Sequence, residues 1–436
     1  MVKPTILKDF TKYVSLNVLG MISLSCYVLV DTFFIARALG PDGLVALNLS
    51  IWIFSVMHGV GLMIGIGGAT QFAILKGKGE DTNSVFPHSL FIGLFAAIIF
   101  VAVGMFFPAR LANALGADAV ILPMASVYMQ TLLYFSAFSL LNNILIAFIR
   151  NDNNPKLAMA GMVTGSFSNI VLDYIFLFPL SLGMFGAALA TGLSFILSLI
   201  VLSFHFLSKN NKIRLLKCKL RIKKIINIIY LGASAFISEL SFAVVLIIFN
   251  LVILRIAGNI GVAAYGIVAN IAFVPMSIFP GVAQGIQPLI SRGYGARDNG
   301  LVKQVLKYAI FVVVGLSLII YTAAFIYTAS IVSLFNSEAN VTLASLATTG
   351  IRIFFIGFTF AAINIIAAAF FSAIAAAKWG LIISLLRGCF IIIPMVIFLS
   401  GIFQMYGVWL SFVLTELIVC VLSVLLLRKK IKALRS

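Results

Sequence analysis

Apolar runs of about 20 residues alternate along this chain with short polar intervals, and within each run the apolar positions are nearly continuous rather than confined to one face. At 1.5 Å per residue, a helical run of that length spans the roughly 30 Å hydrocarbon core of a bilayer. The pattern predicts membrane helices at 13–36, 45–75, 88–108, 120–149, 157–178, 183–207, 226–255, 262–291, 308–328, 343–375, 380–400 and 406–427. A membrane β-barrel requires alternating segments of about ten residues instead. None is present. The expected fold class is therefore all-α: a polytopic membrane protein with twelve transmembrane helices.

Composition agrees with that pattern. Hydrophobic residues make up 62% of the 436 positions and charged residues 10%, against about 25% charged in soluble domains. The net charge of +18 would suit a nucleic-acid binder, but the basic residues are not clustered for one. With both termini placed in the cytoplasm, all but five of the 30 Lys and Arg residues fall on the cytoplasmic side; Arg37, Arg110 and Arg255 lie opposite, and Arg352 and Arg387 lie within spans. Such segregation is the positive-inside bias, so the charge reports topology and attraction to anionic headgroups. No nucleic-acid partner is expected. The expected location is the cell inner (plasma) membrane. The first apolar run contains Asp31 and has no small-residue cleavage site, so it reads as a retained helix. Cys26, Cys218, Cys389 and Cys420 show no metal-type or disulfide-framework spacing.

The longest polar interval, 208–225, carries eight basic residues and divides six spans from six. The expected organisation is an N-lobe over 1–207, a basic cytoplasmic linker over 208–225 and a C-lobe over 226–436. An internal repeat supports it. Gly40-Pro-Asp-Gly43-Leu-Val-Ala46 matches Gly258-Asn-Ile-Gly261-Val-Ala-Ala264 at an offset of 218, as do Gly67 with Gly285 and Gly77 with Gly295. Gly186-Ala-Ala-Leu and Gly407-Val-Trp-Leu match at 221. An even number of spans repeated in one order relates the lobes by a pseudo-two-fold along the membrane normal, with a cavity between them.

Four acids lie within spans: Asp31, Asp173, Glu239 and Glu416. An acid at mid-membrane costs about 2.5–3.5 kcal/mol on insertion scales, so such residues are rare and usually functional. Asn169 and Asp173 share one helix face. With Asp31 and Thr191 they supply two carboxylates, an amide and a hydroxyl, hard oxygen donors suited to an alkali cation. Two carboxylates in a low-dielectric site do not readily both stay ionised, so the group also suits a proton. Tyr27 precedes Asp31 by one turn. Glu239 can attract a cationic substrate, titrate, or tie two helices. Gln284 and Gln287 are amides on a helix expected to be broken by glycine and proline, and a substrate path or plain packing explains them. His58 reads as a packed polar residue. Glu416 reads equally as structural or functional, and Arg387 can snorkel or pair with an acid. Gly65-Ile-Gly67-Gly68 permits close packing rather than nucleotide binding. No nucleophile–base constellation or phosphate-binding loop is present, which leaves an integral membrane enzyme as the least favoured class.

Several stretches resemble the multidrug and toxic compound extrusion (MATE) transporters, in particular their MepA- and DinF-like bacterial branch. These are Tyr27-Val-Leu-Val-Asp31-Thr-Phe-Phe-Ile, Arg150-Asn-Asp-Asn-Asn-Pro155-Lys, Asn169-Ile-Val-Leu-Asp173-Tyr-Ile-Phe, Gly183-Met-Phe-Gly-Ala-Ala-Leu-Ala-Thr191 and Gln284-Gly-Ile-Gln-Pro288…Gly293-Tyr-Gly-Ala296. The resemblance implies a V-shaped pair of six-helix lobes that exports organic, often cationic, compounds in exchange for H⁺ or Na⁺. It places the coupling cation at Asp31, Asn169, Asp173 and Thr191, with Glu239 as the second-lobe acid. The residues themselves mark Glu239, Gln284, Gln287 and Tyr27 as a substrate-binding or second titrating site. Leu16 stands where the family often has a helix-kinking proline, and 343–375 lacks the acid some members carry on the tenth helix. The expected partners are small organic molecules and the bilayer, with no cofactor and a monomeric state. A lipid or lipid-linked oligosaccharide flippase of the same superfamily is the alternative, but its phosphate cargo calls for basic residues in the cavity.

Overall fold

The computed structural model describes residues 4–209, 211–216, 218–336 and 340–434. Lys217 of the basic linker lies outside the described residues. Every regular element among them is helical. The first half comprises α1 (Pro4–Lys78), α2 (Val85–Phe106), α3 (Pro108–Ala114), α4 (Ile121–Tyr134), α5 (Ser136–Asn151), α6 (Pro155–Leu177) and α7 (Gly183–Ser203). The second comprises α8 (Ile222–Gly295), α9 (Asn299–Ile326), α10 (Thr328–Phe335), α11 (Val341–Phe354), α12 (Gly357–Ala373), α13 (Ala377–Leu385) and α14 (Ile392–Ala433). A π-helical turn, Leu386–Phe390, joins the last two.

Seven helical stretches among the described residues are long and apolar enough to cross a membrane, and two bent pairs, α4 with α5 at 52° and α11 with α12 at 44°, pass the same test together. Both bends interrupt spans that the apolar pattern reads as continuous, because composition stays apolar through Phe135 and through Phe355-Ile356. Three long stretches each contain one non-helical residue: Gly40 in α1, Gly258 in α8 and Gln404 in α14. Each falls between two predicted spans. No such break follows Leu16, and α8 remains helical through Pro275, Pro280 and Pro288. The expected break around Gln284 and Gln287 is therefore absent; neighbouring helices in a membrane tolerate the backbone bonds that proline removes.

The repeat is written in the backbone. Gly40 (φ 68°, ψ −158°) and Gly258 (φ 59°, ψ −155°) adopt one conformation, open almost exclusively to glycine. Positive φ also recurs across the halves at Gly79 and Arg297, Asn153 and Ala375, and Gly183 and Gln404, while Gly116 and Ser181 have no such counterpart among the described residues.

The halves meet chiefly where α1 packs on α8, and the repeated glycines form that seam. A Cβ on Gly67 would fall on the Ile228 carbonyl oxygen, and one on Gly232 on that of Met63. The same holds for Gly77 against Arg292 and for Gly295 against Ile74. Gly285 would meet Val14 Cα at 2.8 Å and Gly281 Val18 Cα at 3.0 Å. Contact of this kind lets membrane helices gain van der Waals attraction where no hydrophobic effect draws them together. Amides then lock the seam. Asn17 Nδ2 donates to the Gly281 carbonyl (2.8 Å), Asn151 Nδ2 to Gln287 Oε1 (2.8 Å) and Gln287 Nε2 to Thr70 Oγ1 (2.9 Å). Arg150, 1% exposed, donates to Asn17 Oδ1 and to Gln284 Oε1 (3.1 Å).

The basic linker is strapped beside this seam. Asp152 accepts from Lys76 Nζ and from the Lys212 amide, both at 2.7 Å, and lies 3.0 Å from His205 Nε2. The Arg221 amide donates to His88 Nε2 at 3.0 Å. Burial pushes the Asp152 carboxyl up, but His205, the Lys212 amide and Lys76 outweigh it and hold it below the usual aspartate value. A lowered folded value means that this stabilisation is complete above the unfolded pKa of about 3.9 and disappears only as pH falls through the lower, folded one.

Two outcomes follow. Gly77→Ala or Gly295→Ala should lower thermal stability by about 1–3 kcal/mol, as overpacking does; an unchanged melting curve would show that the seam is already parted in solution. Asp152→Asn should speed tryptic cleavage between Lys209 and Lys224 by about tenfold or more, whereas acidifying the unmodified protein to about pH 5 should not.

Candidate functional site

The four first-lobe residues singled out from sequence come together. Asp31 on α1 is 7% exposed, Asn169 and Asp173 on α6 are 0%, and Thr191 on α7 is 4%. One helical turn separates Asn169 from Asp173, so both point at the adjoining faces of α1 and α7. Asn169 Nδ2 donates to Thr191 Oγ1 at 3.2 Å. The carboxyl groups of Asp31 and Asp173 face each other as an interacting pair. Apart from that pairing, neither oxygen of Asp173, nor Asp31 Oδ1, nor Asn169 Oδ1 has a hydrogen-bond partner.

An unpaired buried carboxylate is strongly disfavoured, so the cluster is incomplete as protein alone. A proton between the carboxyls, or a small hard cation among their oxygens, completes it. The converging donors fit either. Tyr128 on α4, 5% exposed, brings its phenol beside Thr191 and closes the cluster from a fourth helix. Sequence reasoning passed over it because an aromatic in an apolar run carries no polar mark; its phenol, matched against a lone hydroxyl two spans later, is the one signal available.

Beside the cluster lies a cavity of about 320 Å³ whose wall includes Tyr27, His58, Arg150, Glu239, Gln284 and Arg387. The remaining predicted residue, Gln287, also lines it. Tyr27, Glu239, Gln284 and Gln287 thus share one chamber bounded by both halves, whereas Asp31, Asn169, Asp173 and Thr191 lie behind its wall. Tyr27 connects the two places, since it borders the cavity and sits one turn from Asp31. Gln284 and Gln287 form part of the floor and spend their amide groups on the seam described above.

His58 is more than a packed polar residue. Its ring stacks on Phe54 with a centroid separation of 5.5 Å and an angle of 7°, and Nδ1 lies 3.3 Å from Glu239 Oε1 across the cavity. The two groups are close but not aligned as a hydrogen bond. Their side chains are 22% and 30% exposed, so Glu239 remains reachable from the chamber.

Glu416 and Arg387 also find their places. Arg387 donates through Nη2 to Glu416 Oε1 at 2.7 Å and through Nε to both carboxylate oxygens, at 3.0 and 3.3 Å. No cluster of three or more His, Cys, Asp or Glu residues arranged for a metal exists among the described residues.

Comparison with known proteins places this geometry. The MatE family model matches residues 18–175 and 234–398, one stretch in each half. The multidrug export protein MepA of Staphylococcus saprophyticus is 26% identical over 439 residues, covering 98% of this chain and 94% of that protein. MepA of Staphylococcus aureus is 27% identical over 416 residues, covering 92% and 88%. A solved multidrug resistance MATE family transporter of the MOP superfamily, in its outward-facing conformation, superposes with a TM-score of 0.92 at 22% identity over 98% of this chain and 96% of that one. With its two-lobed helical membrane fold and a family match spanning most of its length, the chain belongs to the MatE family.

Proposed function

We propose that this protein is a secondary active exporter of structurally varied organic cations, driven by inward movement of H⁺ or Na⁺ and working by alternating access. The relatives named above as multidrug export proteins support the class of cargo. The observation that carries the ion coupling is the buried Asp31–Asp173 pair, three of whose four carboxylate oxygens lack donors although they lie behind the wall of a chamber shared by both halves. In the proposed topology the protein is a monomer in the plasma membrane, with both termini and the basic linker in the cytoplasm.

The cycle follows from electrostatics. An organic cation in the chamber is held by Glu239 and by the apolar and aromatic wall around Phe54 and Phe242. Negative charge on the Asp31–Asp173 pair, transmitted past Tyr27, adds to that attraction. An H⁺ or Na⁺ entering the pair removes the charge and lets its helices close on one another. The cation is then held less tightly and leaves outward. Parting the glycine seam opens the opposite side, where the ion is released and charge returns. Ion and cargo must each weaken the other's binding by the same factor. A phosphate-bearing lipid fits less well, because Arg387 is engaged by Glu416 and Arg150 by seam amides, while Glu239 faces the cavity.

Purified protein in liposomes should expel a cationic dye when a pH or sodium gradient is imposed, the two applied separately to identify the ion. Asp173→Asn should cut gradient-driven efflux by about 100-fold or more while leaving the protein folded, since a coupling site works only if it titrates or binds; efflux at the original rate would remove the site assignment. Glu239→Gln should raise the apparent KM for cationic dyes by about tenfold, close to the worth of one partly screened charge contact, with little change for neutral cargo.

A further inference from the structure

The two halves treat their buried acids in opposite ways. In the first, Asp173 has no donor on either oxygen. In the second, Glu416 on α14 is equally enclosed, at 2% exposure, yet fully engaged. Besides the three Arg387 contacts, Asn364 on α12 donates through Nδ2 to Glu416 Oε2 at 2.7 Å, and Ser423 donates to Asn364 Oδ1 at 2.8 Å. The arrangement is a complete coordination shell around a carboxylate whose counter-charge belongs to the chain itself.

Arg387 is held there deliberately by the backbone. It sits in the π-helical turn between α13 and α14, one of the irregularities that membrane and soluble helices keep at functional positions. The next residue, Gly388, packs so closely on Ser241 that a Cβ would overlap its hydroxyl. This contact fixes the turn against α8. Arg387 also stands in the wall of both the main chamber and a second cavity of about 80 Å³, whose mostly apolar lining carries Ser238, Ser241, Ser384 and Glu416 as its polar side. That smaller space has room for a few water molecules.

We propose that Glu416, its carboxylate oriented by Asn364 and through it by Ser423, is the anionic centre of a second-lobe site for a small monovalent cation, and that the chain fills it permanently with the Arg387 guanidinium. Arg387 is a positioning residue in this account: it confines ion exchange to the first lobe and thereby sets how many ions move per cargo molecule. The site's natural competitor is H⁺ or Na⁺, admitted through the 80 Å³ cavity only when the guanidinium is gone. The role in stoichiometry rests on the antiport reading above; the binding site does not.

The test uses full-length protein carrying Asp31→Asn and Asp173→Asn, so that both first-lobe carboxylates are removed. Proton uptake in weakly buffered solution and binding of radiolabelled sodium are measured in parallel, which separates the two ions. Adding Arg387→Gln should create about one further ion site per chain, abolished by Glu416→Gln and not created by Arg387→Lys, which keeps a tethered cation. A folded Arg387→Gln protein that binds no more ion than its parent overturns the proposal. Should that variant fail to fold, the paired replacement Arg387→Gln/Glu416→Gln removes both charges together. In liposomes it should retain the unmodified ion-to-cargo ratio at whatever rate it runs; a ratio lower by about one ion would show that Glu416 itself takes part and would overturn the proposal. Ion binding needs no transport, so its failure counts against the tethered cation alone. Absence of gradient-driven exchange by the unmodified protein counts against the antiport reading.

Discussion

Everything in this molecule depends on two backbones meeting without side chains between them. At Gly67, Gly77, Gly232 and Gly295 the opposing surface is a carbonyl oxygen, so a single methyl group at any of them would have to displace main chain. Such a seam has a particular energetic character. It gains attraction from many short van der Waals contacts and a few amide hydrogen bonds, none of them large, and both are replaceable by water once the surfaces separate. A seam of interdigitated Leu and Phe would hold as well but would expose an apolar face to a water-filled chamber on opening. The glycine seam can therefore be both tight and reversible.

Charge is arranged around that seam in three depths. At the linker end Asp152 gathers Lys76, His205 and the linker backbone. In the chamber Glu239 faces His58 across the two halves, loosely enough to be displaced. Behind the wall no basic side chain among the described residues pairs with Asp31 or Asp173, while Glu416 has Arg387. The progression runs from enclosed and structural, through partly exposed and exchangeable, to buried with or without a counter-charge from the chain.

Most of the fold was legible because hydropathy and glycine spacing are local properties. The apolar runs marked the helices, and the 218-residue offset marked the repeat. The bends at Phe135 and Phe355-Ile356 left no trace in composition, and the prolines of α8 suggested a break that lateral packing does not allow. The site divides along the same line. Asp31, Asn169, Asp173 and Thr191 could be read because intramembrane polarity and helical periodicity are visible one segment at a time. The partners of His58 and Arg387 could not, because Glu239 and Glu416 lie on other helices and only packing brings them within reach. Tyr128 was hidden for a related reason: its hydroxyl matters only beside Thr191.

The left-handed turns hold one more lesson. Where the first half uses Gly79, Asn153 and Gly183, the second has Arg297, Ala375 and Gln404 at the matching points, with the positive φ retained. Side chains with a Cβ are disfavoured there by about 1–2 kcal/mol each. At these three points the first half carries one side chain with a Cβ, Asn153, and the second carries three, so the second half keeps the path of the chain at a larger conformational cost. Ancestry in this protein is recorded more faithfully in torsion angles than in letters, and the chain's symmetry would survive an alignment that could no longer detect it.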